Sequence, residues 1–481
     1  MKRKLAIFGL CFAGAELFAA NMPPLVLVPA AALLLLLLFL SIARRRALPL
    51  VLGAVAGLCW FCAFSFAVFR PVRALAGQTV TCMVTVETDA TAAYQNGQLR
   101  GTLTVTGING KSCHFKMCSN GFPAQEPGET FTADFTMTDL PKDAYRASRL
   151  SRGILLQGEY TGGYKTGADS CAPRFALYRL RKNASALLRR WLPRDLGGLE
   201  AAMLLGGKAA LPDTVQDTFR AAGISHLLAV SGLHTGIVFA LVNLALWWLP
   251  LFRRGHLLKN LLAAVAVWLF VAAAGFPPSA VRAAAMCTVL QAALASASEY
   301  VGLNALAAAG FGMLVWNPSW LGDISFQLSF VAVAAILAWG VPLCRRCRTR
   351  WKGVNVVVDA YLIGFVATAA TAPLVSHTFG VVPLAGLAVN PLAIALAGVV
   401  VFGGALWMLA PVGFLAPAFG FVTGSAAEGI SALARLTASL PGGAADYTLG
   451  GWPTAAVYAV FALATLAAWS GEPKKNVPLR T

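Results

Sequence analysis

Charge is scarce in this chain. Only 12% of its 481 residues are Asp, Glu, Lys or Arg, about half the share of a soluble protein. Acids are scarcer still, 20 against 38 Lys and Arg, for a net charge of +18. With 58% hydrophobic residues, that shortage excludes a soluble globular chain of this length. Histidine falls to five residues, at positions 114, 226, 234, 256 and 377, none two apart. A zinc cluster of the His-x-His-x-Asp-His type therefore has nothing to build on. A Gly-rich phosphate loop ending in Gly-Lys-Ser/Thr is missing, which excludes ATP hydrolysis of that kind. The Cys59-x-x-Cys62 and Cys344-x-x-Cys347 pairs each lack a second pair, so neither reads as a zinc site. No metal, cofactor or catalytic group is expected.

Long apolar runs are abundant instead. Runs of roughly the twenty residues that cross a bilayer core fall at 5–21, 25–43, 47–69, 228–250, 258–275, 280–297, 302–316, 325–343, 354–375, 383–409, 413–434 and 452–470. They predict a polytopic α-helical integral membrane protein of about 12 spans. Lys and Arg gather at span ends, at Lys2–Lys4, Arg44–Arg46, Arg253–Lys259, Arg345–Lys352 and Lys474–Arg480. The positive-inside rule puts these clusters, and both termini, in the cytoplasm. Lys2-Arg3-Lys4, an apolar run and Phe18-Ala19-Ala20 have the form of a secretory signal, but a retained first span keeps every later cluster on one side. The excess of positive charge is thus topological before it is anything else.

After the opening spans (1–72) the composition changes. Residues 77–172 are polar and rich in Thr, Val and Gly. Thr79–Thr88, Leu99–Gly107, Lys111–Cys118, Thr130–Thr138 and Gly153–Tyr160 read as strands, with Asn109-Gly110 and Asn96-Gly97 as hairpin turns. Five short strands predict a small closed barrel, an OB-like all-β domain inserted on the extracytoplasmic side. In that oxidising place Cys82, Cys113, Cys118 and Cys171 are candidates for one or two disulfides. Residues 174–222 follow as an interfacial segment. In it Leu177, Leu180, Ala184, Leu187, Leu188 and Trp191 share a helical stripe while Arg179, Lys182, Arg189 and Arg190 face away. Such a basic amphipathic helix rests on anionic lipid or guides a polyanion.

The remaining spans (223–471) open on His226-Leu-Leu-Ala-Val-Ser231-Gly232-Leu-His234, polar groups that are expensive in a bilayer unless they meet partners or line a wet path. One reading is an intramembrane serine protease with Ser231 as nucleophile and His377 as base, though the residue two before the serine is Ala229, where the protease pattern has Gly. A shared metal is excluded if the helix is unbroken, because His226 and His234 would then stand about 12 Å apart. Arg282, in Pro278-Ser279-x-x-Arg282, and Asp323, after Asn317-Pro318, fall at the same end of their spans as His226. They form either a structural salt bridge or an outward-facing mouth. Pro383-Leu-Ala-Gly386 and Asn390-Pro391 predict a broken or re-entrant helix.

These motifs, with Phe326-Gln327-Leu-Ser329, resemble in content and order those of the ComEC family of competence proteins. The strand-rich insert is similar to that family's OB-like domain. The resemblance implies an inner-membrane channel that admits transforming DNA as a single strand into the bacterial cytoplasm. It places His226, Ser231, Gly232, His234, Arg282, Asp323, Gln327 and Asn390 in the channel domain, as lining or gating residues. Many relatives end in a metallo-β-lactamase-like nuclease, whereas this sequence closes with a short basic tail (472–481). Strand degradation is expected to fall to a separate nuclease, force to a separate ATP-driven motor, and capture to a separate DNA receptor. A homo-oligomer is compatible with this.

Residues 77–172 hold eight basic and nine acidic residues, so the barrel is no obvious DNA trap. The helix with Arg179, Lys182, Arg189, Arg190 and Trp191 is the better guide for single-stranded DNA. The alternative class is a transporter of another polymer or solute on the same fold.

Overall fold

The computed structural model describes residues 8–9, 11–16, 48–87, 99–122, 126–141, 143, 145–167, 173–191, 194–206, 211–252, 255–296, 301–382, 385–409, 416–440 and 445–470. The predicted span at 25–43, most of 5–21, the Asn96-Gly97 turn, Cys171 and the basic tail lie outside them.

Helix α1 (Leu48–Phe64) continues through a π-helical turn (Ser65–Phe69) into Arg70–Arg73 and leads directly into the β domain. Five strands follow: β1 (Thr79–Val86), β2 (Leu99–Ile108), β3 (Lys111–Phe122), β4 (Thr130–Asp139) and β5 (Ile154–Thr166). They close into a barrel of order β1-β2-β3-β5-β4, with β1 antiparallel to β4 and β3 parallel to β5. The Asn-Gly turn works as the sequence implies. Asn109 and Gly110 both take left-handed backbone, φ 47° and 79°, the pair of positive angles that a tight hairpin requires. Alternation sets the register: Phe131, Ala133, Phe135 and Met137 of β4 point inward, where Phe115, Met117 and Leu156 meet them. Phe69 is buried in the same core, with Phe64, Val68 and Val72 packed against it. The barrel is therefore seated on the end of α1. A short helix, α2 (Arg146–Ser151), makes the β4–β5 crossover.

The disulfides expected in this domain do not form among the described cysteines: Cys82, Cys113 and Cys118 are free thiols. Strand geometry gives the reason for Cys118. It is an odd number of residues from Cys113 on β3, so the two face opposite sides of the wall. Cys82 is fully buried in the core, and Cys113 packs on that core without bonding to it. Burial pushes the Cys82 thiol up to about 12, with smaller contributions from Cys113 and Asp134. A raised folded value means that its contribution to stability is intact below the unfolded value of 9.0. It declines as the pH rises toward about 12. We expect alkaline titration of the full chain to loosen the barrel from about pH 9 upward, read by β-sheet circular dichroism, and Cys82→Ala to weaken that dependence.

Helices α3 (Pro173–Trp191), α4 (Arg194–Leu205) and α5 (Asp213–Ala221) follow the barrel. Next come α6 (Gly232–Ala245), α7 (Gly255–Ala273), α8 (Pro278–Ala295), α9 (Gly302–Trp316) and α10 (Ile324–Ala335). The last four are α11 (Lys352–Phe379), α12 (Gly386–Leu409), α13 (Ala416–Ala438) and α14 (Gly451–Ser470). Among the described residues six helices are long and apolar enough to cross a membrane: Val51–Arg73, Gly255–Ala273, Pro278–Ala295, Ile324–Arg346, Lys352–Phe379 and Gly386–Trp407. Leu196–Leu205, Gly232–Ala245 and Gly302–Trp316 are shorter apolar helices. The protein is a helical membrane protein with an inserted β-barrel.

The chain forms two compact units. The first holds residues 1–217, 225–330 and 394–432; the second holds 218–224, 331–393 and 433–481. In the first, Phe12, Val230, Val267, Val281, Met313 and Phe326 share one core. Leu188, Leu204, Val401 and Trp407 share another. Helix α4 is buried along its length from Gly197 to Leu205, where Ala201, Leu204 and Leu205 share the core with Val401 and Trp407. In the second unit, α12 runs unbroken through Asn390-Pro391. Pro391 is its sixth residue, where the missing N–H removes one backbone bond without ending the helix. The expected break at that dipeptide is not made.

Candidate functional site

The His226–His234 motif is a helix start. His226 is exposed in a 3-10 turn (Ser225–Leu228), and the chain then extends at Ser231 (φ −114°, ψ 177°), the N-cap of α6. Ser231 Oγ accepts from the backbone N–H of Leu233 at 3.2 Å and stands 2.8 Å from Nδ1 of His234. The Ser231 N–H in turn donates to that Nδ1 at 3.1 Å. This is a capping box with histidine in the place usually held by Glu or Gln. Free helix-start N–H groups need such partners wherever water is excluded. His234 is fully buried, and its Nε2 has no hydrogen-bond partner among the described residues. His377, offered by the sequence as a base, is exposed and occupied elsewhere, with Nδ1 2.8 Å from the Leu449 carbonyl.

Helix α8 clamps this start. Ser279 Oγ donates to the Val230 carbonyl at 2.9 Å. Arg282, 6% exposed, donates through Nη1 to the Ser329 carbonyl of α10 at 2.6 Å and lies over the Phe330 ring. Its other nitrogen, Nη2, fills the space beside Gly232: a methyl group there would stand 2.9 Å from it. Glycine at 232 is thus the condition for the guanidinium's position. One arginine ties the starts of α6, α8 and α10 together.

Asp323 does not pair with Arg282, which corrects the salt-bridge reading. It caps α10 instead, accepting from the N–H groups of Ser325 (2.7 Å) and Phe326 (3.3 Å) through Oδ1. Its Oδ2 accepts from Ser151 Oγ of the barrel crossover at 2.6 Å. The preceding residues extend the same latch. Asn317 Nδ2 donates to the Ser151 carbonyl at 3.0 Å, as does Trp320 Nε1 at 2.7 Å. Gln327 Nε2 closes the turn on the Leu321 carbonyl at 2.7 Å. So the Asn317–Gln327 segment fastens α2, and with it the barrel, to the first turn of a membrane helix.

Of the sequence candidates, the structure brings Ser231, Gly232, His234 and Arg282 together, and joins Asp323 and Gln327 to the barrel latch. Asn390 belongs to the second unit, where its Oδ1 is buried without a partner among the described residues. Helix α3 leans on protein as well as presenting charge. Phe175 packs at Gly128 of the β3–β4 loop, and Lys182 pairs with Glu126 of that loop at 3.2 Å. Arg179 is exposed, but so is Leu180 (61%), which the apolar stripe would bury. Arg189, Arg190 and Trp191 continue the helix; their side chains lie outside the description.

Sequence reasoning missed Ser151 and Glu200, and named Ser279 within its motif without giving it a role. Nothing local marks the first, whose partner is 172 residues away. Glu200 of α4 is a buried carboxylate held where α12 has Gly404, whose Cβ would stand 2.7 Å from its Oε1. An acid inside the run Leu199–Leu205 is the signal that pointed to it.

The described residues thus define a helical membrane protein whose first unit holds a barrel latched to the first turn of a membrane helix, with His234, Arg282 and Asp323 buried at helix starts. The profile of the competence protein family matches residues 203–473, more than half of the chain, and this chain belongs to that family, the ComEC family. Over 184 residues it is 28% identical to ComE operon protein 3 of Bacillus subtilis (strain 168), covering 38% of this chain and 23% of that relative. Over 195 residues it is 32% identical to an uncharacterised protein of Aquifex aeolicus (strain VF5), covering 40% of this chain and 43% of that one. The matched stretches thus span less than half of either relative. No solved structure matches.

Proposed function

We propose that this protein forms the path by which single-stranded transforming DNA crosses the cytoplasmic membrane, with the barrel, read as an OB-like domain, on the outer side. Membership of the competence family supports the substrate. The observation that carries the mechanism is the Arg282 tie, which gathers three helix starts at the level where Asp323 holds the barrel. A polyanion needs a wet, protein-lined path through the low-dielectric bilayer. Buried polar groups at one depth are the usual mark of such a path. The protein acts as a passive conduit: a separate receptor delivers DNA, and a cytoplasmic ATP-driven motor pulls the strand through. Deletion of the gene in a competent host is expected to stop DNA from reaching a nuclease-resistant state; unchanged uptake would contradict the reading.

The 2.8 Å contact between Ser231 and His234 invites the protease alternative. The geometry argues for a cap. The serine oxygen already accepts the Leu233 N–H, and the histidine nitrogen facing it already accepts the Ser231 N–H. Asparagine caps helices as well as serine does and has no hydroxyl. Ser231→Asn is therefore expected to keep most DNA uptake, while Ser231→Ala loses about 1 kcal/mol of local stability and with it part of the uptake. Equal, complete loss in both variants, together with covalent labelling of the wild type by a fluorophosphonate, would instead mark a nucleophile.

A further inference from the structure

The loop between the last turn of Ile324–Arg346 and α11 carries five cations in eight residues: Arg345, Arg346, Arg348, Arg350 and Lys352. All five are exposed. From Asp323 to Glu428 the sequence has one other ionisable acid or base of the Asp, Glu, Lys or Arg type, Asp359, so the patch is not balanced by neighbours along the chain. No ion pair or hydrogen bond engages these five side chains among the described residues. Trp351 stands among them, 75% exposed. The loop is nevertheless fixed. Asn355 accepts from the N–H and the hydroxyl of Thr349, both at 2.8 Å, and donates back to the Thr349 carbonyl at 3.0 Å. The span Ile324–Arg346 has 23 residues, enough to carry its two ends to opposite faces of a bilayer. The loop follows the Arg346 end of that span.

We infer that this loop is a landing site for single-stranded DNA as it leaves the membrane path, with Trp351 as a base-stacking platform and the cations on flanking phosphates. The inference rests on the proposed DNA path and adds where the strand is received. Orienting a span needs only a few cations at its end. It does not need an aromatic face held clear of the protein by a three-bond side-chain clamp. Cations interleaved with an exposed aromatic ring are the elements with which proteins hold single strands without sequence preference.

The test is photocrosslinking of a 5-iododeoxyuridine oligonucleotide to the full-length protein in zwitterionic nanodiscs, mapped by mass spectrometry. A crosslink at Trp351 is expected, falling as salt is raised. Retention in Trp351→Phe and an affinity loss of about tenfold in Trp351→Ala are expected as well, as is loss of the crosslink when Arg346, Arg348 and Arg350 are changed to Glu. Crosslinks confined to α3 or the barrel would overturn the landing site and leave the DNA path standing. No crosslink anywhere would count against both. If the charge reversal leaves crosslinking unchanged and only weakens association of the loop with anionic vesicles, the loop is a lipid seat and the inference fails.

Discussion

Arg282→Ala is expected to lower DNA uptake by about a hundredfold while the protein still inserts into the membrane. The side chain makes a hydrogen bond of 2.6 Å to the Ser329 carbonyl and fills the space at Gly232. Removing it takes away a charge-assisted hydrogen bond to the part-buried Ser329 carbonyl, costing about 1.5–3 kcal/mol, and opens a cavity beside Gly232 that adds to this. Together these reach the ~2.7 kcal/mol that corresponds to a hundredfold change in the population of the working arrangement. Arg282→Lys keeps a charge and one donor but not the planar fork that serves two sites at once, so partial uptake is expected. Gly232→Val is expected to reproduce the alanine phenotype from the other side, because its side chain takes the space of Nη2. Transformation frequency, with membrane levels measured in parallel, checks all three; wild-type uptake in Arg282→Ala would remove the tie from the account.

The second large effect concerns the barrel latch. Asp323→Ala removes a helix cap, about 1 kcal/mol, and a charge-assisted hydrogen bond to Ser151, about 1.5–3 kcal/mol. Ser151→Ala removes only the bond. A double-mutant cycle on thermal unfolding in detergent is expected to give a coupling of about 1–2 kcal/mol between the two positions. Asp323→Asn should fall between, since an amide oxygen still caps. In the intact membrane, loss of the latch is expected to make the Arg146–Ser151 crossover accessible to proteolysis. Additive single and double mutants with an unchanged protease pattern would mean that the Asp323–Ser151 bond does not hold the barrel, leaving that to Asn317, Trp320 and the seat on α1.

The β domain was legible because its signals are local. Strict alternation on β4 and the Asn109-Gly110 turn fix strand limits and register without knowledge of the rest. Its cysteines were not legible, because pairing depends on which side of a closed wall each thiol faces. The helix starts were half legible. Polar residues at span ends marked His226, Arg282 and Asp323 as a group, yet His226 is exposed in a 3-10 turn and the partners of the other two were misassigned. Opposite charges suggested Arg282 with Asp323, whereas each is used by backbone: Arg282 by a carbonyl, Asp323 by the N–H groups of the helix it begins. The cap itself was written in the sequence, an Asp directly before an apolar helix. The Ser231–His234 box was hidden because histidine is an uncommon partner in that motif. Ser151 could be found only from the fold. Asn390-Pro391 misled because a proline inside a helix removes one backbone bond without necessarily ending the helix, and Pro373 within α11 does not end its helix either.

The central claim is that this chain conducts single-stranded DNA. The purified full-length protein in proteoliposomes, with a single-strand-binding protein trapped inside as a sink, tests it without a motor or receptor. Nuclease-protected accumulation of a labelled single-stranded oligonucleotide is the predicted result, with duplex of the same length excluded and Arg282→Ala strongly reduced. Accumulation no greater than in protein-free vesicles would contradict the account.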